Sequence, residues 1–285
     1  MTCDFLSPSG ADNNWGTRPL VMGILNVTPD SFSDGGKFAC ADCAAERAFE
    51  MESEGADIVD IGGESTRPGA VSVDAETELA RVLPVVKKLV SGGFRGVISV
   101  DTSKALVAAE CLAAGAGIIN DVSGCADSGM ATVLRSFPSC GYVLMHSQGA
   151  PKTMQDAPRY EDVLSEVENY LREGLTKLNL AGIKAQRIAL DPGFGFGKTW
   201  GHNRSLLLGL PALMKMGRPL VFGLSRKSFV GRVTGTAEMD RLGGSLAAET
   251  LALWLGALVV RTHAVKEAAQ AVKMVEALKD ESWKQ

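Results

Sequence analysis

Long apolar runs, an excess of basic charge, regularly spaced cysteines and low-complexity tracts are all missing from this 285-residue chain, and each absence excludes something. The most apolar extended stretch, 251–260, falls far short of the roughly 20 residues that a membrane-spanning helix needs. The start, Met1-Thr2-Cys3-Asp4-Phe5, lacks the basic lead and apolar core of a secretory signal. A cytoplasmic protein with no membrane partner is expected. Lys plus Arg total 29 against 33 Asp plus Glu, and the resulting charge of −4 leaves no electrostatic footprint for nucleic acid. The six cysteines are dispersed. Cys40 and Cys43 form a CxxC with neither a second pair nor a His cluster to complete a metal site, so ordinary free thiols are expected. A hydrophobic content of 46% excludes disorder. Glycine, by contrast, is abundant: 32 residues, about 11% against roughly 7% in average usage.

No compositional break divides the chain. A short apolar run, a polar or glycine-rich loop and a helical stretch recur instead. Strands are expected at 20–25, 58–61, 96–100, 117–119, 141–145, 187–190, 220–223 and 257–260. Each is too continuously apolar for a half-solvated antiparallel strand. Helical patterns occupy 41–54, 75–90, 104–114, 130–137, 160–181, 204–214, 243–255 and 265–278. Gly55, Gly115, Gly182 and Gly256 follow helical stretches, where left-handed C-caps belong. Eight β-then-α units in a chain of this length predict a single-domain (β/α)8 TIM barrel, an α/β fold, over residues 20–280. Residues 1–19 are an unassigned extension. A doubly wound sheet fits less well, because the turn after the first strand, Asn26-Val27-Thr28-Pro29, contains no glycine for a dinucleotide fingerprint.

In a barrel the catalytic polar residues belong at the C-terminal ends of the strands. The sequence places Asn26, Gly62-Gly63-Glu64-Ser65-Thr66-Arg67, Asp101-Thr102-Ser103 and Asn120-Asp121 after the first four. His146, Asp191, Ser225-Arg226-Lys227-Ser228 and Arg261-Thr262-His263 follow the rest. Singly, Asn26, Asn120 and Asp101 read equally well as caps or turns, Lys227 and Arg226 as solvated first-turn residues, and His146 as structural. Collected around one mouth, they suit a ligand with two ends. Arg67, Lys227, Arg261 and His263 suit an anion such as diphosphate. Asp101, Asp191 and the two asparagines suit a planar heterocycle bearing amino and amide groups. The stretch Gly193-Phe194-Gly195-Phe196-Gly197-Lys198-Thr199 approaches a phosphate-binding P-loop, but Pro192 stands where its first glycine is required. A loop exposing Phe194 and Phe196 at the barrel mouth is expected instead.

Two long motifs make the chain recognisable. Met22-Gly23-Ile24-Leu25-Asn26-Val27-Thr28-Pro29-Asp30-Ser31-Phe32-Ser33-Asp34-Gly35-Gly36 resembles the first signature of the dihydropteroate synthase family. Asp60-Ile61-Gly62-Gly63-Glu64-Ser65-Thr66-Arg67-Pro68-Gly69 resembles the second. Asp101-Thr102-Ser103-Lys104, Asn120-Asp121, Asp191 to Lys198 and Ser225 to Ser228 match in order and spacing, so the likeness spans roughly 20–278. The resemblance implies an enzyme of folate synthesis that joins p-aminobenzoate to (7,8-dihydropterin-6-yl)methyl diphosphate, releasing diphosphate with Mg²⁺ present. It also implies a homodimer.

Carried over by motif, the resemblance implies that Asp101, Asn120, Asp191 and Lys227 hold the pterin, with Met145 against its ring. Asn26, Arg261 and His263 would bind diphosphate, Asn26 also entering the Mg²⁺ site. Thr66 and Arg67 would close over diphosphate and p-aminobenzoate. Phe32, Pro68, Phe196, Lys227 and Ser228 would form the p-aminobenzoate site, together with Thr66. Asp34 would stabilise the charged intermediate. Asp34, Arg67, Asp101, Lys227 and Arg261 are thus the implied catalytic set. A dissociative substitution is expected, since no Ser–His–Asp or Cys–His set supplies a nucleophile. In one departure, Arg261-Thr262-His263 is followed by Ala264, where the family often has Asp. Sulfonamide-insensitive relatives share that ending but are altered in the 65–68 stretch, which is intact here, so sensitivity is expected. The rival readings are a pterin-binding methyltransferase barrel, which has no need of cations around a leaving diphosphate, and a barrel that binds pterin without turnover.

Overall fold

The computed structural model describes residues 18–28, 37–65, 70–149 and 153–280. Its eight strands are β1 (Leu20–Asn26), β2 (Ile58–Gly62), β3 (Val97–Asp101), β4 (Ile118–Asp121), β5 (Gly141–Met145), β6 (Ile188–Asp191), β7 (Val221–Phe222) and β8 (Val259–Thr262). All pairings are parallel, in the order β6-β5-β4-β3-β2-β1-β8-β7. The two ends of that sheet meet at the parallel bridge between Leu190 and Leu220, where the Leu190 N–H donates to the Pro219 carbonyl at 2.9 Å. The expected (β/α)8 barrel is therefore the observed architecture.

Among the described residues the helices are α1 (Lys37–Glu54), α2 (Ala75–Ser91), α3 (Ala105–Ala113), α4 (Met130–Ser136) and α5 (Val163–Leu180). They continue as α6 (Trp200–Leu208), α7 (Leu210–Met214), α8 (Ser228–Thr234), α9 (Leu242–Trp254) and α10 (Val265–Lys279). Local chemistry explains where they differ from expectation. The Asp162 carboxylate accepts from the N–H groups of Leu164 and Ser165, so α5 begins at Val163 rather than at 160. Thr199 and His202 form a capping box that starts α6 at Trp200. Gly209 and Pro211 then split the expected single helix in two. The four glycines expected as C-caps all have positive φ, from 86° to 110°.

Side chains alternate between two cores, as the period of a strand requires. Val59, Ile61, Val100, Ile119, Leu144 and Leu190 face the helices and belong to the larger, outer core. Leu20, Met22, Ile58, Ile118, Val143, Ala189, Val221 and Val259 form a separate, wholly buried cluster. They are the inward-facing residues that fill the barrel.

Candidate active site

Counting two residues onward from that inner cluster keeps the parity of each strand and moves along the barrel axis by about 6–7 Å. The step leads from Ile58 to Asp60, from Ile118 to Asn120, from Val143 to Met145, from Ala189 to Asp191 and from Val259 to Arg261. On β3 the same face carries Ser99 and then Asp101. Register brings neighbours level: Asp60 with Ser99, Asp101 with Asn120, and Met145 with Asp191. An apolar plug thus gives way to a polar layer, all of it on the inward face. None of Asn26, Asn120 or Asp101 is a helix cap.

Asp60 sits at the centre of this layer with no exposed surface. Its carboxylate accepts from Ser99 Oγ (2.6 Å), Asn120 Nδ2 (2.8 Å) and Arg261 Nε (2.6 Å). Arg261 Nη2 donates in turn to Asp101 Oδ2 at 2.7 Å. Burial works against the Arg261 charge, but Asp60 and Asp101 outweigh it and hold the guanidinium above its ordinary value. Burial pushes the Asp101 carboxyl up to about 7, against the pull of Arg261. Two acceptors remain: among the described residues, buried Asp101 Oδ1 and Asn120 Oδ1 have no hydrogen-bond partner. A buried acceptor without a donor is costly, so this pair is suited to N–H groups brought by a ligand.

Asp191 is buried on the same layer, and its Oδ1 accepts from the Gly193 N–H at 2.7 Å. Burial raises this carboxyl too, opposed by that N–H and by Lys227, Arg261 and Lys198. Lys227 is the N-cap residue of α8, and its Nζ lies 4.2 Å from the centroid of the Phe196 ring. Phe196 and Asp101 help line a cleft of 610 Å³, together with Glu64, Ser123, Ser147 and Met154. Phe194 does not join them. It is 1% exposed and packs in the outer core.

The loop after β6 owes its shape to Lys198, which is buried. Its Nζ is bonded to His146 Nδ1 (2.9 Å), Gly193 O (2.9 Å) and Phe196 O (3.0 Å). All three ammonium positions are engaged with protein, so Lys198 is not turned towards a phosphate as a P-loop lysine would be. Burial pulls the His146 imidazole down to about 3, and the Lys198 charge adds to the effect. His146 is then neutral when folded but protonates near 6.5 when unfolded, so the unfolded chain binds more protons between those values. Stability is expected to fall as pH drops from about 6.5 towards 4, by roughly 1 kcal/mol per pH unit from this residue. Urea unfolding of His146→Gln at pH 7 and 5 should show stability shifted in favour of pH 5, relative to the parent, by roughly 1–2 kcal/mol; an identical pH dependence contradicts this reading.

The remaining expected residues divide into two groups. Asn26 ends β1 beside Gly62, within van der Waals reach of where a Gly62 side chain would lie. The His263 N–H donates to Ser225 Oγ at 3.1 Å, and Ser228 is the exposed first residue of α8. Met145 is buried in register with Asp191. Phe32, Asp34, Thr66, Arg67 and Pro68 lie outside the described residues. Sequence reasoning missed Asp60 and Ser99, and it missed the brace at the start of the loop after β2. There Lys104 Nζ bonds both Glu64 and the buried Glu78, while Arg81 donates to the Gly63 carbonyl at 2.7 Å. Among the described residues no group of three or more His, Cys, Asp or Glu side chains could hold a metal by itself.

Residues 22–263 match the family described as pterin binding enzyme. The chain is 48% identical over 263 residues to dihydropteroate synthase of Escherichia coli K12, covering 92% of each. It superimposes on Yersinia pestis dihydropteroate synthase, solved with a sulfonamide drug complex, with a TM-score of 0.87, 44% identity and coverage of 92% and 95% of the two chains. The corresponding values for Xanthomonas albilineans dihydropteroate synthase in complex with 7,8-dihydropteroate are 0.86, 40%, 96% and 98%. By fold, inward polar layer and sequence alike, the chain belongs to the pterin-binding enzyme family, among the dihydropteroate synthases.

Proposed function

We infer that this protein is a transferase that condenses p-aminobenzoate with (7,8-dihydropterin-6-yl)methyl diphosphate to give 7,8-dihydropteroate and diphosphate. The observation that carries the reading is the pair of buried, unpartnered acceptors, Asp101 Oδ1 and Asn120 Oδ1, beside Asp191 and Lys227. A pterin presents amino and ring N–H donors along one edge, and a set of fixed acceptors matches that edge. In this reading Asp101, Asn120, Asp191 and Lys227 grip the pterin, with Met145 against its face. Arg261 and His263, with Asn26, Thr66 and Arg67, take the diphosphate. Phe32, Thr66, Pro68, Phe196, Lys227 and Ser228 form the p-aminobenzoate side.

The reaction needs charge stabilisation more than covalent chemistry. As the methylene–oxygen bond breaks, positive charge spreads into the pterin and negative charge gathers on diphosphate. Asp101 and Asp191 oppose the first charge, and Arg261, Arg67 and His263 the second, a fixed electrostatic arrangement of the kind that dominates many barriers. Asp34 adds to the stabilisation of the cation. The neutral amine of p-aminobenzoate then attacks the methylene carbon, and the proton it gives up passes to the released diphosphate or to water. Asn26 offers a neutral, hard oxygen ligand at the strand end, and no acidic cage competes with it among the described residues. That donor set fits Mg²⁺ arriving with the diphosphate, since Mg²⁺ takes few protein ligands and completes its shell with phosphate oxygens and water. When bound, the ion would supply further charge neutralisation on the leaving group.

Asn120→Leu removes one carbonyl acceptor and the amide that donates to Asp60. It is expected to weaken binding of the pterin diphosphate about tenfold to a hundredfold in calorimetric titration. Unchanged affinity would overturn the pterin assignment. A sulfonamide is expected to compete with p-aminobenzoate in the same protein. Two further readings concern the whole molecule. The catalytic unit is residues 20–280 and works in the cytoplasm; no helix of the described residues is long and apolar enough to cross a membrane. It acts as a homodimer, supported by the exposed Leu251, Trp254, Met274 and Leu278 on α9 and α10. Trp254→Glu should halve the mass measured by sedimentation equilibrium, and an unaltered mass would place the contact elsewhere.

A further inference from the structure

Only two non-glycine residues among those described have positive φ: Cys125 at 69° and Arg226 at 55°. The left-handed region is disfavoured for any residue with a Cβ, so something must hold each of them there. For Cys125 it is the Asp121 carboxylate, which accepts the Cys125 N–H at 3.1 Å. Arg226 is held from both sides by α9 and the residue that precedes it. The Arg226 N–H donates to Ser245 Oγ at 2.9 Å, and its carbonyl accepts from Arg241 Nη1 at 2.9 Å. Ser245 is 3% exposed, and Arg241 Nε is buried without a partner. Half-buried Arg241 thus leaves its Nε buried and unpaired while Nη1 reaches one backbone carbonyl.

Arg226 immediately precedes Lys227. Beyond the turn, the Lys227 stem crosses Gly195, where a Cβ would lie 3.1 Å from Lys227 Cδ, and its ammonium rests over Phe196. We propose that Arg241 and Ser245 are positioning residues for Lys227, holding the left-handed turn at Arg226 that aims the Lys227 side chain across Gly195 towards Phe196. The consequence for pterin binding rests on the assignment of Lys227 made above. Gly231, inside α8, belongs to the same device, because a Cβ there would run into the Arg241 guanidinium. Helix propensity alone favours alanine at 231. A glycine retained in mid-helix against that preference leaves a passage for the guanidinium.

Gly231→Ala therefore separates folding from positioning. Its added methyl meets a flexible side chain rather than backbone, so the protein should still fold, the gain in helix propensity offsetting part of the bond lost when the guanidinium is pushed off the Arg226 carbonyl. Gly231→Ala and Arg241→Met are each expected to raise the Kd of the pterin diphosphate, measured by calorimetry without p-aminobenzoate, about tenfold. Both should accelerate hydrogen exchange in the peptide covering 224–228. Adding Arg226→Gly, which occupies positive φ without strain, should return the Kd to within about threefold of the parent in either background. If a variant fails to fold, Ser245→Ala, which removes only the bond to the Arg226 N–H, carries the same expectation at about threefold. Unchanged exchange at 224–228 overturns the proposal, as does a loss of affinity that Arg226→Gly does not recover in a folded double variant. Lys227→Met tests the pterin assignment separately. Unchanged affinity there refutes the role given to Lys227, while exchange at 224–228 still decides whether Arg241 and Ser245 hold the turn.

Discussion

Arg261→Met is expected to lower kcat/KM by at least about a thousandfold and to cost about 3–5 kcal/mol of stability. Both effects come from the same geometry. Arg261 Nε and Nη2 neutralise Asp60 and Asp101, which are 0% and 7% exposed, and the side chain itself remains 17% exposed. Removing the guanidinium takes away the cation that opposes charge on the leaving diphosphate. It also leaves two carboxylates buried beside one another with no counter-charge, and Asp101, which burial already raises, loses the cation that opposes that rise. The folded variant binds more protons at Asp101 than the folded parent does, so the stability lost on substitution should shrink as pH falls from 8 to 5. Paired urea titrations and initial rates at those two pH values check the two halves independently. Lys198→Met should reduce turnover far less, because Lys198 Nζ bonds only protein acceptors. Equal losses in the two variants would contradict the assignment of the diphosphate to Arg261 and reopen the phosphate-loop reading of 193–199.

Asp60→Asn is the second large effect, at a residue that touches no substrate in the proposed arrangement. Three donors converge on its carboxylate, from Ser99, Asn120 and Arg261. An amide offers one acceptor oxygen and turns an NH2 towards at least one of those donors. With the NH2 turned to Ser99 Oγ, the amide oxygen still meets Arg261 and Asn120, but the negative charge is gone. Arg261 keeps a charged partner only in Asp101, and the bonds that position Arg261 and Asn120 weaken. A displacement of about 1 Å in groups that orient both ends of a substrate can reduce turnover about a hundredfold. The same loss in kcat/KM is expected here, with about 1–3 kcal/mol of stability. Near-normal kinetics with an intact fold would mean that Arg261 and Asn120 are held by something other than Asp60.

The eight barrel strands and the residues at their ends were legible because burial on both faces writes a continuous apolar run, and the run stops where the barrel opens. Asp60 was not legible in this way. It stands inside Ile58-Val59-Asp60-Ile61-Gly62, before the strand has ended, and only parity reveals that it shares a face with Ile58 and points inward. The signal was available: a single carboxylate within an apolar strand, level with Ser99 on the next. Helix α8 was missed for a different reason. Ser228–Thr234 carries Val230, Gly231, Val233 and Thr234, all poor helix formers, and it forms where tertiary packing overrides propensity. Phe194 was misassigned to the mouth because loop composition carries no parity, and its burial depends on the path that Lys198 imposes on 193–197. The brace of Lys104, Glu64 and Glu78 joins residues 26 and 40 positions apart, a pairing that spacing along the chain does not encode.

The transferase reading is tested most directly by incubating the purified protein with (7,8-dihydropterin-6-yl)methyl diphosphate and p-aminobenzoate, with and without Mg²⁺, and identifying the products by mass. Formation of 7,8-dihydropteroate and diphosphate in equal amounts, dependent on both substrates and on Mg²⁺, and abolished in Arg261→Met, is the predicted result. Absence of 7,8-dihydropteroate under both conditions, from protein that still binds the pterin diphosphate, would contradict it and leave a pterin-binding barrel with a different chemistry.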